Sequence, residues 1–300
     1  MTLDIRVVRT DDDYEAWRRV RLAVLPHERS DTVEQLRRSA SRTRLLLLAY
    51  LDGELAGHGS ADLSQVGGRA SVTPRVLPAF RRRGVGTALL RTLADHAATL
   101  AVDRVSAVVD IPGTGDGAGS IAFAERFGFA EVDRQVEQVR AIGTEPDPGP
   151  PPHGLRIVTT ADEPDLWPAC FDTFGREVLA DFATDTPMAV DAREWADDWP
   201  GDPMYLALDN DVVVGCAGLI PDTDKRERAE HALTAVSRSW RGRGLASYLK
   251  RLTLHWAATH DVSEVYTWTQ RGNASMRGLN AHLGYANGQT AVVLTHPLPL

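Results

Sequence analysis

Residues 241–246 read Arg-Gly-Arg-Gly-Leu-Ala, and 160 positions earlier residues 81–86 read Arg-Arg-Arg-Gly-Val-Gly. Each follows a β-patterned run (Glu230–Val236; Ala70–Val76) and opens a stretch with the apolar spacing of a long helix (Ser247–His260; Thr87–Leu100). Small residues at a strand-to-helix turn leave the first-turn N–H groups of the helix accessible, and flanking guanidiniums add positive charge. The stretch therefore predicts an anion-binding turn, in two copies. No P-loop lysine follows either copy, which disfavours a nucleoside triphosphate.

Working outward, the same order of signals surrounds both turns. A first strand (Leu3–Val8; Leu155–Thr159) leads into an acid-started helix (Tyr14, Trp17, Val20, Leu22; Leu166, Trp167, Phe171, Phe174). Hairpins follow, turning at Asp52-Gly53 and at Asp209-Asn210. After the long helix come a strand (Arg104–Val109; Glu264–Thr269), a short helix closing on Phe127-Gly128-Phe129 or Leu283-Gly284-Tyr285, and a last strand. The equivalent points Gly57 and Gly215, Gly84 and Gly244, and Phe129 and Tyr285 keep a nearly constant separation, as duplication requires. The predicted fold class is α/β with a mixed sheet, one domain written twice. The expected domains are 1–142 and 155–300, joined by a linker at 143–154, Gly-Thr-Glu-Pro-Asp-Pro-Gly-Pro-Pro-Pro-His-Gly, whose prolines deny helix and ladder.

Composition excludes other classes. A 300-residue chain that is 43% hydrophobic and 25% charged can bury two cores and is neither disordered nor fibrous. The opening lacks a signal-peptide pattern and no apolar run reaches membrane-helix length, so a cytoplasmic location and no membrane partner are expected. Net charge of −8 argues against nucleic acid as a partner. That charge is uneven, about +1 over 1–142 and −9 over 143–300. Cys170 and Cys216 form no CxxC and no metal pattern, so no metal site is expected. Only Lys225 and Lys250 are lysines among 33 basic residues, a bias of GC-rich bacterial genomes. The glycine run Gly113–Gly119 has the look of a dinucleotide fingerprint, but Pro112 interrupts the strand exit and the second copy has Gln270-Arg271-Gly272-Asn273 there, so it reads as a loosened loop.

The pattern R-x-x-G-x-G/A after a strand, closed by the aromatic-glycine ending, resembles the acyl-CoA motif of the GNAT N-acetyltransferase superfamily in both halves. Thr267-Trp268-Thr269, Asn273-Ala-Ser-Met276, Asn280 and Leu283-Gly284-Tyr285 resemble a bacterial GNAT subgroup pattern, departing at Thr269, where that subgroup has Asn. The two-copy organisation is similar to that of mycothiol-synthase-like proteins, with no motif tying this chain to that substrate. The resemblance implies acetyl-CoA as acyl donor and a strand that splays from its neighbour before the turn. Its backbone, Pro74, Arg75 and Val76 in one copy and Thr234, Ala235 and Val236 in the other, would pair with the pantetheine arm. The pyrophosphate would lie on Arg82, Arg83, Gly84, Val85, Gly86 and Thr87, or on Arg241, Gly242, Arg243, Gly244, Leu245, Ala246 and Ser247. A backbone N–H near Val236 would face the thioester carbonyl.

An acceptor amine titrates near ~10.4 and needs a base. In the family's histone-acetylating branch a glutamate lies eleven residues before the motif; counted back, this is Glu230 in the second copy and Ala70 in the first. His231, on the opposite face of a regular strand, is the alternative base. The family's cofactor-touching asparagine and its thiolate-protonating tyrosine fall on Asn273 and Asn280, and on Gly117 and Ala124 in the first copy. The first half is thus expected to be degenerate and the second catalytic; Tyr248 and Tyr285 are candidate substitute acids, but both sit at positions that more often pack. Around Asp191, Trp195, Asp198 and Trp199 an acidic, aromatic stretch suggests a cationic amine acceptor, as a small molecule or a protein amino group. Direct attack on the thioester by that amine is the expected reaction, in a monomer or homodimer. The competing reading is a non-catalytic acyl-CoA binding or sensing protein.

Overall fold

The computed structural model describes residues 2–26, 28–111, 117–182, 186–199, 201–222 and 227–300, the side chain of Asp198 apart. Gly113–Asp116 of the glycine run, Asp185 and Lys225 lie outside the described residues. The chain forms two compact units, Met1–Arg134 with Ala291–Leu300, and Gln135–Thr290.

The first unit runs β1 (Leu3–Val7), α1 (Asp11–Val24), α2 (Val33–Arg38), β2 (Leu45–Leu51), β3 (Glu54–Leu63), β4 (Arg69–Val76), α3 (Val85–Ala97), β5 (Arg104–Ile111), α4 (Ala118–Arg126) and the start of β6 (Ala130–Ala141). The second, after the rest of β6, runs β7 (Arg156–Thr159), α5 (Leu166–Ala169), α6 (Arg176–Ala180), α7 (Ala192–Asp198), β8 (Met204–Asp209), β9 (Val212–Pro221), β10 (Arg228–Val236), α8 (Leu245–Thr259), β11 (Glu264–Gln270), α9 (Ala274–His282) and the start of β12 (Ala286–Pro297). Within unit one the strand order is β1-β2-β3-β4-β5, with 291–297 of β12 beside β5. Within unit two it is β7-β8-β9-β10-β11, with 135–141 of β6 antiparallel to β11. β4/β5 and β10/β11 are parallel pairs, each bridged by its long helix.

Two expectations are corrected. The packing boundary falls at 134/135, and the last strand of each sheet comes from the other half of the chain, because 135–141 spends its backbone hydrogen bonds on β11. Residues 143–154 belong wholly to unit two and are held there: the Tyr248 hydroxyl donates to the Gly149 carbonyl at 2.8 Å, and His255 Nδ1 meets the Glu145 carbonyl at 3.0 Å. The second hairpin turns at Asn210-Asp211 (φ 46° and 67°) rather than Asp209-Asn210, because a two-residue turn needs both central residues at positive φ. Asp52-Gly53 turns as expected.

In unit one, α3 packs Leu89, Leu90 and Leu93 on one face of the sheet while α1 and α2 pack Trp17 and Leu36 on the other. Unit two repeats this with Leu245 and Leu249 of α8 on one face and a cluster around Trp167, Phe174 and Trp195 on the other. The helical stretch expected through Phe171 and Phe174 is broken by a π-turn at Phe171–Gly175.

Candidate functional site

In both units the central parallel strands part company early. β10 and β11 pair at Arg228/Glu264, Ala229/Val265 and Glu230/Tyr266 and then separate; β4 and β5 do so after Ser71/Ser106. The unpaired ends form a wedge. Ser237 N–H bonds the Val214 carbonyl of β9 at 2.9 Å, and Leu77 N–H bonds the Ala56 carbonyl of β3 at 2.9 Å. Successive residues of an extended strand point their N–H groups to opposite sides, so those of Val236 and Val76 face the wedge. Their carbonyls are taken by Arg241 Nε at 3.1 Å and Arg81 Nε at 3.2 Å. By the same alternation Thr234 offers a second donor to its wedge, whereas Pro74, its counterpart, has none.

The turn closes one end of each wedge. Gly84 and Gly244, at φ 87° and 81°, precede α3 and α8 with no side-chain cap, so the first-turn amides stay available. A Cβ on Gly84, Gly242 or Gly244 would meet nothing within 4 Å, so the backbone lies open to a ligand. Arg82 and Gly242 also lie at positive φ, 61° and 73°. This left-handed setting strains an arginine and suits a glycine. Arg243 stacks over Trp240 at 4.6 Å. Arg241, besides its carbonyl bond, is paired with Asp181, which Arg238 also holds. Its guanidinium thus anchors the turn, and the two arginines keep the Asp181 carboxyl below its usual range.

Register decides which residue of unit one matches Glu230. A bulge in β10 between His231 and Thr234 inserts one residue relative to β4, so counting back from the turn misplaces the match by one. Glu230 and Ser71 each occupy the last paired position before the wedge, and Ser71, not Ala70, is the counterpart. Tyr266 donates to Glu230 Oε2 at 3.4 Å. His231 points to the α8 face, where its Nε2 lies 2.5 Å from Tyr285 Oη and its Nδ1 3.4 Å from the Gly218 carbonyl. Burial and the nearby Lys250 ammonium push its pKa well down, leaving it neutral. On the same face Thr234 Oγ1 is buried without a hydrogen-bond partner.

The remaining expected residues have clear places. Asn273 accepts from Met276 N and caps α9. Asn280 is fully buried and donates to Gln138 at 2.9 Å. Tyr248 is spent on Gly149. In the acidic stretch, Asp191 and Glu194 form the capping box of α7, and Asp197 lies 3.5 Å from Arg193. Trp195 is a core residue stacked 4.3 Å from Trp167, which takes it off any acceptor surface, and Trp199 stacks on it in turn. The described carboxylates Asp181, Asp191, Glu194 and Asp197 are thus engaged within the chain.

Two clusters escape a motif reading. Lys250 is 1% exposed on α8, its ammonium 5.2 Å from the Tyr285 ring, and burial pushes its pKa down to about 7. Its signal was a lysine on the apolar stripe of Leu245, Leu249 and Leu254. Unit one instead buries charge at its wedge. Arg75 is driven down to about 10 by burial, and Asp110 on β5 is raised to about 7 by burial and by Glu28, to which it is hydrogen-bonded. Arg21 binds Glu28 at 2.8 Å, and His58 beside Arg75 in the β3/β4 register is fully buried with neither ring nitrogen bonded. Sequence spacing cannot show this cluster, since its members come from four elements and loops.

No curated protein matches the chain by sequence. Among solved structures, a tandem GNAT protein from the clavulanic acid biosynthesis pathway, solved without AcCoA, superposes with TM-score 0.76 at 19% identity over 100% of this chain and 99% of that one. A GCN5-related N-acetyltransferase from Sphaerobacter thermophilus gives TM-score 0.72 at 20% identity over 99% and 96%. Likeness at such identity speaks for the fold. The Acetyltransferase (GNAT) family model matches residues 10–129 and again 167–285, the spans that carry the two wedges and their turns. The chain therefore belongs to the acetyltransferase (GNAT) family, carries its fold twice in tandem, and is an enzyme of the transferase class.

Proposed function

We propose that the chain is an acetyl-CoA-dependent N-acetyltransferase whose second unit transfers the acetyl group directly to a primary amine, on a small molecule or a protein. The observation that carries this reading is Glu230, the only carboxylate at the last paired position of either wedge, beside a strand whose Val236 and Thr234 N–H groups face the opening.

The residues present fit the acyl donor. The uncapped start of α8 and the open backbone at Gly242 and Gly244 suit a pyrophosphate, and the unpartnered Thr234 Oγ1 marks a polar atom awaiting a ligand group. Acetyl-CoA supplies the acyl group as an activated thioester. Glu230 accepts a proton from the amine, directly or through water, while the Val236 N–H stabilises negative charge on the carbonyl oxygen. The engaged carboxylates of the acidic stretch withdraw support for a cationic preference, so the acceptor class rests at primary amines.

Thiol release from acetyl-CoA with an amine panel tests the reading. Glu230→Gln is expected to lower kcat/KM by ~100-fold or more, in the range of a lost general base. An unchanged kcat/KM would remove Glu230, and tight acetyl-CoA binding without thiol release for any amine would replace the enzyme by a binding protein.

A further inference from the structure

The two units differ on the long-helix face of the wedge. In unit two, His231, Lys250 and Tyr285 are 7%, 1% and 5% exposed. Their counterparts are Val72, one residue past the last wedge pair; Leu90, six residues past the turn glycine; and Phe129, after the positive-φ Gly128. Phe129 and Tyr285 even make the same backbone bond, to Ala124 O at 3.2 Å and Asn280 O at 3.0 Å. Unit one closes this place with apolar side chains at 0%, 2% and 4% exposure. The fold therefore does not require polar groups there.

Burying a lysine with no carboxylate costs stability, and among the described residues none forms an ion pair with Lys250. The groups the structure sets beside it are these. β10 presents His231, neutral, and the segment after α9 presents Tyr285, beyond which Arg140 of β6 and Glu145 of the Pro-rich stretch are bonded to one another at 2.5 Å. Nothing in this set neutralises the ammonium. A second feature points to a missing ligand: Thr234 Oγ1, on the same face of β10, is buried and unbonded.

We propose that Lys250, seated against Tyr285, which His231 anchors, is the positive charge that receives the departing CoA thiolate in unit two. The proposal rests on the acetyl-transfer reading. As the amine nitrogen bonds the carbonyl carbon, the C–S bond breaks and its electron pair stays on sulfur; the amine proton passes to Glu230, and Lys250 keeps its own. The trio fills the role that a tyrosine at position 280 would have had, since Asn280 is committed to Gln138. An ammonium in a low-dielectric setting stabilises an anion far more than one in water does. Its tendency to lose the proton when no anion is present is the same effect in reverse. His231 and Tyr285 are positioning residues.

The test titrates the thiol of CoA bound to the full-length protein, by thiolate absorbance, without an acceptor and without turnover. A free thiol has a pKa near ~8.5, and the bound one in wild type is expected about one unit lower, a roughly tenfold gain in the thiolate-to-thiol ratio. Lys250→Leu should abolish the gain, and the wild-type-minus-variant difference isolates unit two. His231→Val/Lys250→Leu/Tyr285→Phe, which installs the residues unit one already uses, should fold and behave likewise. CoA bound with the same thiol pKa in wild type and both variants overturns the proposal and leaves the acetyl-transfer reading standing. Failure of CoA to bind overturns both.

Discussion

Unit one and unit two share a sheet order, a wedge and a turn, yet they bury their ionisable groups on opposite faces of it. Unit one packs Arg75, Asp110 and Glu28 against the α1 side, where unit two has Ala235 and Gln270 at the matching strand positions. Unit two packs His231, Lys250 and Tyr285 against its long helix, where unit one has Val72, Leu90 and Phe129. The scaffold accepts buried ionisable groups on either face of the sheet. On the α1 side of unit one the carboxylates are bracketed by Arg21 and Arg75. On the corresponding side of unit two Glu230 accepts a 3.4 Å hydrogen bond from Tyr266.

The sharpest way to break this comparison is at the turns. Gly244→Asp places a carboxylate where the pyrophosphate is expected, and acetyl-transfer activity should fall by ~100-fold or more, since loss of aligned donors and added repulsion act together. Gly84→Asp should leave activity within about twofold if unit one contributes no turnover. Equal losses in kcat/KM from the two variants would show that both wedges work.

A smaller effect separates the units by pH. Lys250, held near 7 against an ordinary 10.5, leaves the folded state with fewer bound protons than the unfolded state between those values, so unit two gains stability as pH rises through that window. Asp110, raised to about 7 from 3.8, binds its proton more tightly when folded, so unit one loses stability as pH rises from 3.8 through 7. Thermal melts of Lys250→Leu should exceed wild type by a few degrees at pH 6, with the advantage shrinking toward pH 10. Asp110→Asn should flatten the loss between pH 4 and 7. Parallel pH curves for wild type and both variants would sink this account.

The mildest change tests the wedge donors. Pro74→Thr gives β4 the N–H that Thr234 supplies in β10, and one added neutral hydrogen bond is worth ~0.5–1.5 kcal/mol. Calorimetric affinity of unit one for CoA should rise by about two- to tenfold, and no change would mean that the pantetheine arm does not run along that edge.

Much of this was legible in the chain. The repeat, the two turns and the hairpins are local signals: positive-φ glycines, alternation and helical spacing act over a few residues and read directly. Glu230 was reachable by counting because only one strand separates it from the turn. Ser71 was not, since the β10 bulge changes the count without leaving a mark in composition. The acidic stretch misled for a related reason. Asp181 looks free in sequence because its partners Arg238 and Arg241 lie far along the chain, while Asp191 and Glu194 are spent on the backbone in the capping box of α7.

The sequence by itself determined the duplicated α/β fold, the anion-binding turns and the family, because each rests on short-range backbone preferences repeated at a fixed separation. Tertiary structure alone decided which half of the chain supplies each closing strand, that Asp181 is paired with Arg238 and Arg241, and that, among the described residues, no carboxylate pairs with Lys250. Those depend on long-range strand pairing and on the loss of water around a side chain, and neither is encoded in any local run of residues.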